Sequence, residues 1–90
     1  MSNITLSKGE TPNETTVHLP GLTIWFSYET PIAFRSSEGE FVRENDWGPT
    51  TGKHLNRIDG GYREGRIPGS EFEERLQVAI DTAMHQRVNA

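Results

Sequence analysis

Leu22-Thr23-Ile24-Trp25-Phe26-Ser27-Tyr28 decides the fold class. Leu22, Ile24, Phe26 and Tyr28 fall on one side of an extended chain, and Thr23, Trp25 and Ser27 fall on the other. β-Branched and aromatic residues in such alternation specify a strand. Pro20-Gly21 punctuates the chain before it. Glu29-Thr30-Pro31 follows as a tight connection, where Pro31, lacking an N–H, suits a turn or the first residue of a strand. Ile32 to Arg35 forms the return strand, Ser36 to Gly39 a second turn, and Glu40 to Glu44 a third strand. Two short connections in succession mean an antiparallel meander.

Upstream, residues 3–7 alternate polar and apolar, and Thr15 to Leu19 does so again with Val17 and Leu19 on one side. Gly9 and Pro12 lie between them, so the two predict an N-terminal hairpin. Downstream, Trp47-Gly48-Pro49 reads as a corner, with Trp47 plugging it. Thr50 or Thr51 is placed to cap a short helix from about Gly52 to Ile58, whose buried anchors are Leu55 and Ile58. Gly60-Gly61 ends that helix in the left-handed conformation. Lys53, His54 and Arg57 then fall on or near its exposed side. Tyr62 to Ile67 reads as one more short strand.

Ser70-Glu71-Phe72-Glu73 has the pattern of a capping box, and Phe72, Leu76, Ala79, Ile80, Ala83 and Met84 recur at three- and four-residue steps. A helix over about 70–87 follows. The expected fold is α+β: a small, mostly antiparallel β-sheet, a short central helix, and a C-terminal amphipathic helix packed on one face. One domain spans residues 1–90, with the hairpin or arm in 1–20 and the core in 22–88.

The composition removes several functions. The 90 residues include no cysteine, so neither disulfides nor a thiolate metal site can form. Such a small core gains from packing against itself or a partner, which favours an oligomer. No apolar run reaches the ~20 residues a spanning helix needs, and the N-terminus lacks signal-peptide character. The expected location is the cytoplasm. The net charge is −4, and no basic stripe of the kind that grips phosphates is visible, so nucleic acid is an unlikely partner.

Catalytic and metal chemistry have little support. Gly48 to Lys53 resembles a phosphate loop, but its spacing is one residue short and no βαβ unit precedes it. His18, His54 and His85 sit in three different elements, without the short spacing of metal ligands. Neither metal nor cofactor is expected. Glu40, Glu44, Asp46 and Asp59 could pair as carboxylates, and Thr51 or Ser27 could serve as a hydroxyl nucleophile. The charge-balanced centre predicts surface ion pairs instead, and the expected protein is not an enzyme. Tyr28, Phe34 and Phe41 read as core. Trp25 points away from the apolar face of its strand; it is either part of a second small core or an anchor at an interface.

Trp25 to Arg35, Glu44 to Trp47, Thr50 to Asn56 and Asp59-Gly60-Gly61 together resemble a family of small uncharacterised proteins of bacteriophages and mobile elements, especially of actinobacteria. Two motifs carry the resemblance, Ser-Tyr-x-Thr-Pro-x-Ala (Ser27 to Ala33) and Thr-Thr-x-Lys-His-x-Asn (Thr50 to Asn56). It covers roughly residues 22–76 and leaves residues 1–20 outside the pattern. The resemblance implies a setting, the bacterial host cytoplasm, in which small acidic proteins bind and redirect a host component or inhibit a defence system. It implies no chemistry. The expectation is a non-enzymatic protein that binds a host or phage protein, as an inhibitor of a host process or defence system. Its surface is built from the 45–58 segment with Trp25, and its leading residues are Trp25, Lys53, His54, Asn56 and Arg57. Two alternatives are nucleic-acid binding through Arg43, Lys53, His54, Arg57 and Arg63, and nucleotide binding with Trp25 stacked on a base.

Overall fold

The structure, a computed structural model, describes the backbone of residues 5–8 and 13–89 and the side chains of residues 13–85. Residues 3 and 4 of the expected first strand lie outside the described residues. Five strands, β1 (Thr5–Lys8), β2 (Glu14–Leu19), β3 (Leu22–Ser27), β4 (Thr30–Ser36) and β5 (Gly39–Val42), form one sheet in chain order. Every neighbouring pair is antiparallel. The meander arises because three successive connections are two-residue turns. Leu19 pairs with Leu22 around Pro20-Gly21, where Gly21 takes φ +73°, as the third residue of a type II turn requires.

One irregularity sets which residues face which side. Trp25 pairs with Ala33 and Phe26 with Pro31, so Ile32 is an extra residue on β4. This bulge turns two consecutive side chains, Ile32 and Ala33, to the same face. They join Val42 and Leu55 in one buried cluster, with Trp25 and Ile58 packed against it. The opposite face carries the larger cluster of Leu22, Ile24, Phe34, Phe72, Leu76 and Ala83. Phe34 stacks on Phe41 at 5.0 Å between centroids and meets Phe72 at 5.5 Å.

Each face therefore has its own helix. α1 (Pro49–Asp59) covers the Ile32–Ala33 side, and α2 (Gly69–Asn89) covers the Phe34 side. α1 begins three residues earlier than the apolar pair suggested. Gly48 is its N-cap, without a side-chain cap bond, and Pro49 opens the first turn with its φ already suited to a helix. Neither Thr50 nor Thr51 caps it. Gly60, at φ +67°, ends it as expected.

Three further expectations are corrected. Tyr62 to Ile67 forms no strand: residues Arg63–Gly65 make a single 3₁₀ turn, and Ile67 makes an isolated parallel bridge to Arg43. α2 starts at Gly69, with Phe72 N–H donating to Pro68 O, so Ser70 sits inside the first turn and not at the cap. Tyr28 is 53% exposed, because it leaves β3 at the turn.

Candidate functional site

Thr51, His54, Leu55 and Ile58 occupy positions i, i+3, i+4 and i+7 of α1. That spacing puts all four on the side facing the sheet. Leu55 is fully buried, His54 is 1% exposed and Thr51 is buried beside them. The expected placement of His54 on the exposed side is thus overturned. Its ring occupies the core stripe, at a position the motif gave to a polar residue.

Two polar side chains in an apolar stripe need partners, since an unsatisfied buried group costs about 1–3 kcal/mol. Ser27, the last residue of β3, supplies them. Its Oγ lies 2.6 Å from His54 Nδ1 and 3.0 Å from Thr51 Oγ1. One hydroxyl has a donor and two lone pairs, enough for both contacts. On the other side of the imidazole, Nε2 stands 3.9 Å from a carboxylate oxygen of Glu14 on β2, and that same oxygen takes a hydrogen bond from Arg57. The tilted Tyr28 ring lies with its centroid 6.3 Å from that of His54.

Ser27, His54 and Glu14 thus follow one another in the order of a hydrolytic triad. Their environment differs from that of one. A nucleophile must reach a substrate, and Ser27 is 2% exposed. Neither cavity described below is lined by Ser27, His54 or Glu14. The chain of contacts joins β2, β3 and α1, the three elements that need to be held together on this face.

Arg43 has the same kind of role at the start of α2. It is 6% exposed, at the end of β5. Its guanidinium lies 4.6 Å from the Trp47 ring and 5.5 Å from the Phe72 ring. It bonds to Asp46 at 3.1 Å and to Glu73 at 3.5 Å. Cation–π contact and two carboxylates compensate much of its desolvation, although Nε is left without a partner. Trp47 does not plug the corner: it is 44% exposed and covers Arg43 from outside.

The remaining candidates separate. Trp25 is half-buried against the α1-side cluster, with the Arg35 guanidinium 5.3 Å from its ring. Of the two readings for this residue, the second small core describes that position. Arg57 is tied to Glu14. Asn56 accepts a bond from Arg66 Nη2 at 3.0 Å. Arg66 in turn grips Asp59 through Nε at 2.7 Å and Nη2 at 2.9 Å. That fork is the largest cause holding the Asp59 carboxyl below its usual range; burial opposes it, and the Gly61 N–H adds to it. Lys53 is exposed. The five expected residues therefore do not share one surface.

What gathers around the end of α1 instead is a polar groove of about 390 Å³, lined by Glu44, Asn45, Gly52, Asn56, Arg63 and Arg66. Asn45 is set by two local bonds, accepting from Trp47 N–H at 2.9 Å and donating to Gly48 O at 3.3 Å. Gly52 lets it lie close, since a Cβ there would stand 3.1 Å from Asn45 Nδ2. Trp47 follows Asn45 by two residues, and Tyr62, 63% exposed, precedes Arg63. The Tyr62 ring is stacked over Gly65, at a distance that leaves no room for a Cβ. Arg63 has no ion pair among the described residues. The sequence places Asn45 in the Glu44–Trp47 motif without singling out its side chain. Tyr62, between Gly61 and the Arg63–Gly65 turn, reads there as part of a strand and not as an exposed ring. No group of three or more metal-ligating side chains converges among the described residues. No described helix is long and apolar enough to cross a membrane.

Over residues 2–74 the chain matches the model of a family of unknown function, DUF8033, and it belongs to that family. The match takes in most of residues 1–20, which the motif resemblance had left outside its pattern. No curated protein and no solved structure matches the chain.

Proposed function

We propose that this protein is a small, non-enzymatic binding protein that docks on another protein, and that its contact surface is the exposed face running from Trp47 past the polar groove to Arg63 and Tyr62. The observation that carries this reading is the exposure of two aromatic rings, Trp47 and Tyr62, each one or two residues along the chain from a residue lining the polar groove, Asn45 and Arg63, the second an arginine that has no ion pair among the described residues. Trp, Tyr and Arg dominate the energetics of protein interfaces, because each offers a large rigid contact area with a polar end. The groove supplies donors and acceptors from Asn45 and Asn56 for the polar part of such a contact.

The same geometry weighs against the alternatives. Of the cations proposed to grip nucleic acid, Arg43 is buried under Trp47, Arg57 is paired with Glu14 and His54 is in the core. Lys53 and Arg63 remain, too few for a phosphate-tracking surface on a chain of net charge −4. A nucleotide stacked on Trp25 would need a ring that is instead packed on the core and on Arg35. The motif resemblance supports the setting by analogy: a phage or mobile-element product in a bacterial cytoplasm, acting on a host process or defence system.

The test is recovery of a defined partner from host lysate with tagged wild-type protein, repeated with Trp47→Ala, Arg63→Ala and Tyr62→Ala. These variants are expected to lose the partner, and Lys53→Ala to retain most of it. Equal recovery by all four variants would reject the assigned surface.

A further inference from the structure

We propose that the groove between α2 and the β4–β5 hairpin is a second docking site, and that its occupant is a basic amphipathic segment of a partner protein. The groove has a volume of about 470 Å³ and shares no lining residue with the polar groove. Its floor is apolar, made by Phe34 and Phe41 of the sheet and Ala79 of the helix. Val78 stands at its side and is 62% exposed, one of two large apolar side chains, with Met84, that α2 leaves in water among the described residues. Pockets of ~300–1,000 Å³ accept compact ligands, so this one has room for two or three apolar side chains. Such side chains are spaced i, i+4 on a helical segment laid along a groove.

The rim decides the charge of the occupant. Glu38, Glu71 and Glu74 stand around the groove against a single arginine, Arg75. Arg75 is already committed, with Nε 2.9 Å from Glu71 and its guanidinium 5.3 Å from the Phe41 ring. Glu38 and Glu74 have no ion pair among the described residues. An apolar floor under two uncompensated carboxylates complements apolar anchors flanked by lysine or arginine. A second copy of this chain does not fit that description: its α2 would bring Glu71, Glu73 and Glu74 against the same rim, on a molecule that already carries −4.

Fluorescence anisotropy with two labelled synthetic helical peptides tests the proposal. Both carry leucines at i, i+4 and i+7; one is flanked by lysines and the other by glutamates. The lysine peptide is expected to bind saturably, more weakly as salt rises, and the glutamate peptide not to bind. Val78→Ser, which removes the aliphatic surface at an exposed position without adding charge, should weaken the lysine peptide about tenfold or more, the scale of one lost anchor. Glu38→Lys with Glu74→Lys should reverse the preference between the peptides. No binding of either peptide, equal binding of both, or undiminished binding of the lysine peptide by Val78→Ser would overturn it. Because these substitutions leave Trp47, Tyr62 and Arg63 in place, failure here is separable from failure of the first surface.

Discussion

Ser27 Oγ lies 2.6 Å from His54 Nδ1, joining the end of β3 to the buried side of α1. This one bond connects the two sequence motifs, since Ser27 opens Ser-Tyr-x-Thr-Pro-x-Ala and His54 sits in Thr-Thr-x-Lys-His-x-Asn. Thr51 of the second motif bonds to the same hydroxyl at 3.0 Å. The motifs therefore pair through folding, and much of what looked like functional vocabulary holds a helix on a sheet.

Gly69 should be the least replaceable glycine of the α2 end. A Cβ at this position would stand 2.1 Å from Arg43 Nη2 and 3.0 Å from its Cζ. An arginine tip can usually swing aside, but this one is enclosed by Trp47, Phe72, Asp46 and Glu73. Gly69→Ala is expected to cost about 1–3 kcal/mol in urea denaturation, the range of overpacking at a filled site. A variant as stable as the wild type would mean that Arg43 moves freely and anchors nothing.

Tyr28 is the one described non-glycine residue at positive φ, +57°, at the first position of the two-residue turn between β3 and β4. Its N–H donates to Asn13 O at 2.7 Å, which helps hold the turn. The left-handed region costs a side-chain-bearing residue about 1–2 kcal/mol, and a β-branched one more. Both Tyr28→Gly and Tyr28→Val remove the ring beside His54, so their difference isolates the backbone. The glycine variant should unfold at higher temperature than the valine variant, by about 1–2 kcal/mol in stability. Equal melting points would show that the turn carries no such strain.

The Asp59–Arg66 fork predicts an acid-sensitive contribution. Arg66 holds the Asp59 carboxyl below its ordinary value in the folded protein. A carboxylate with a depressed folded value stabilises fully above its unfolded value and loses that contribution as pH falls through the folded one. Wild type should therefore exceed Asp59→Asn in stability by a constant margin above about pH 5, and the margin should shrink below about pH 4. Chemical denaturation of both proteins across that range measures it. A margin that stays constant down to acid unfolding would contradict the role of the fork.

The sheet was legible in the sequence because its signals are local. Leu22 to Ser27 alternates, Pro20-Gly21 makes a type II turn, and each later hairpin is bounded by polar turn residues. The C-terminal helix was legible for the same reason: Phe72, Leu76, Ala79, Ile80 and Ala83 form the stripe that packs on the sheet. The bulge at Ile32 was not, since a one-residue shift between strands depends on their pairing and leaves no mark on either alone. That shift brings Ile32 and Ala33 to one face and creates the second cluster that α1 covers.

The candidate site was misread where polarity was equated with exposure. Thr51 and His54 stand at helical positions facing the sheet, and the i, i+3, i+4, i+7 spacing with Leu55 and Ile58 was available to show it. The signal was missed because two of the four are polar, and their partner, Ser27, is 24 and 27 residues away in the chain. Trp47 and Tyr62 were passed over or assigned to structure for the converse reason, since large aromatics are more often buried than exposed.

The measurement that tests this account most directly is a double-mutant cycle on Ser27 and His54, read by urea denaturation of Ser27→Ala, His54→Ala and the double variant. Ser27→Ala strands His54 Nδ1, whereas His54→Ala leaves the Ser27 hydroxyl its contact with Thr51. With His54 already gone, removing the hydroxyl no longer strands the imidazole, so the two losses should not add. The expected coupling is about 1 kcal/mol or more. Losses that add to within about 0.3 kcal/mol would contradict the account.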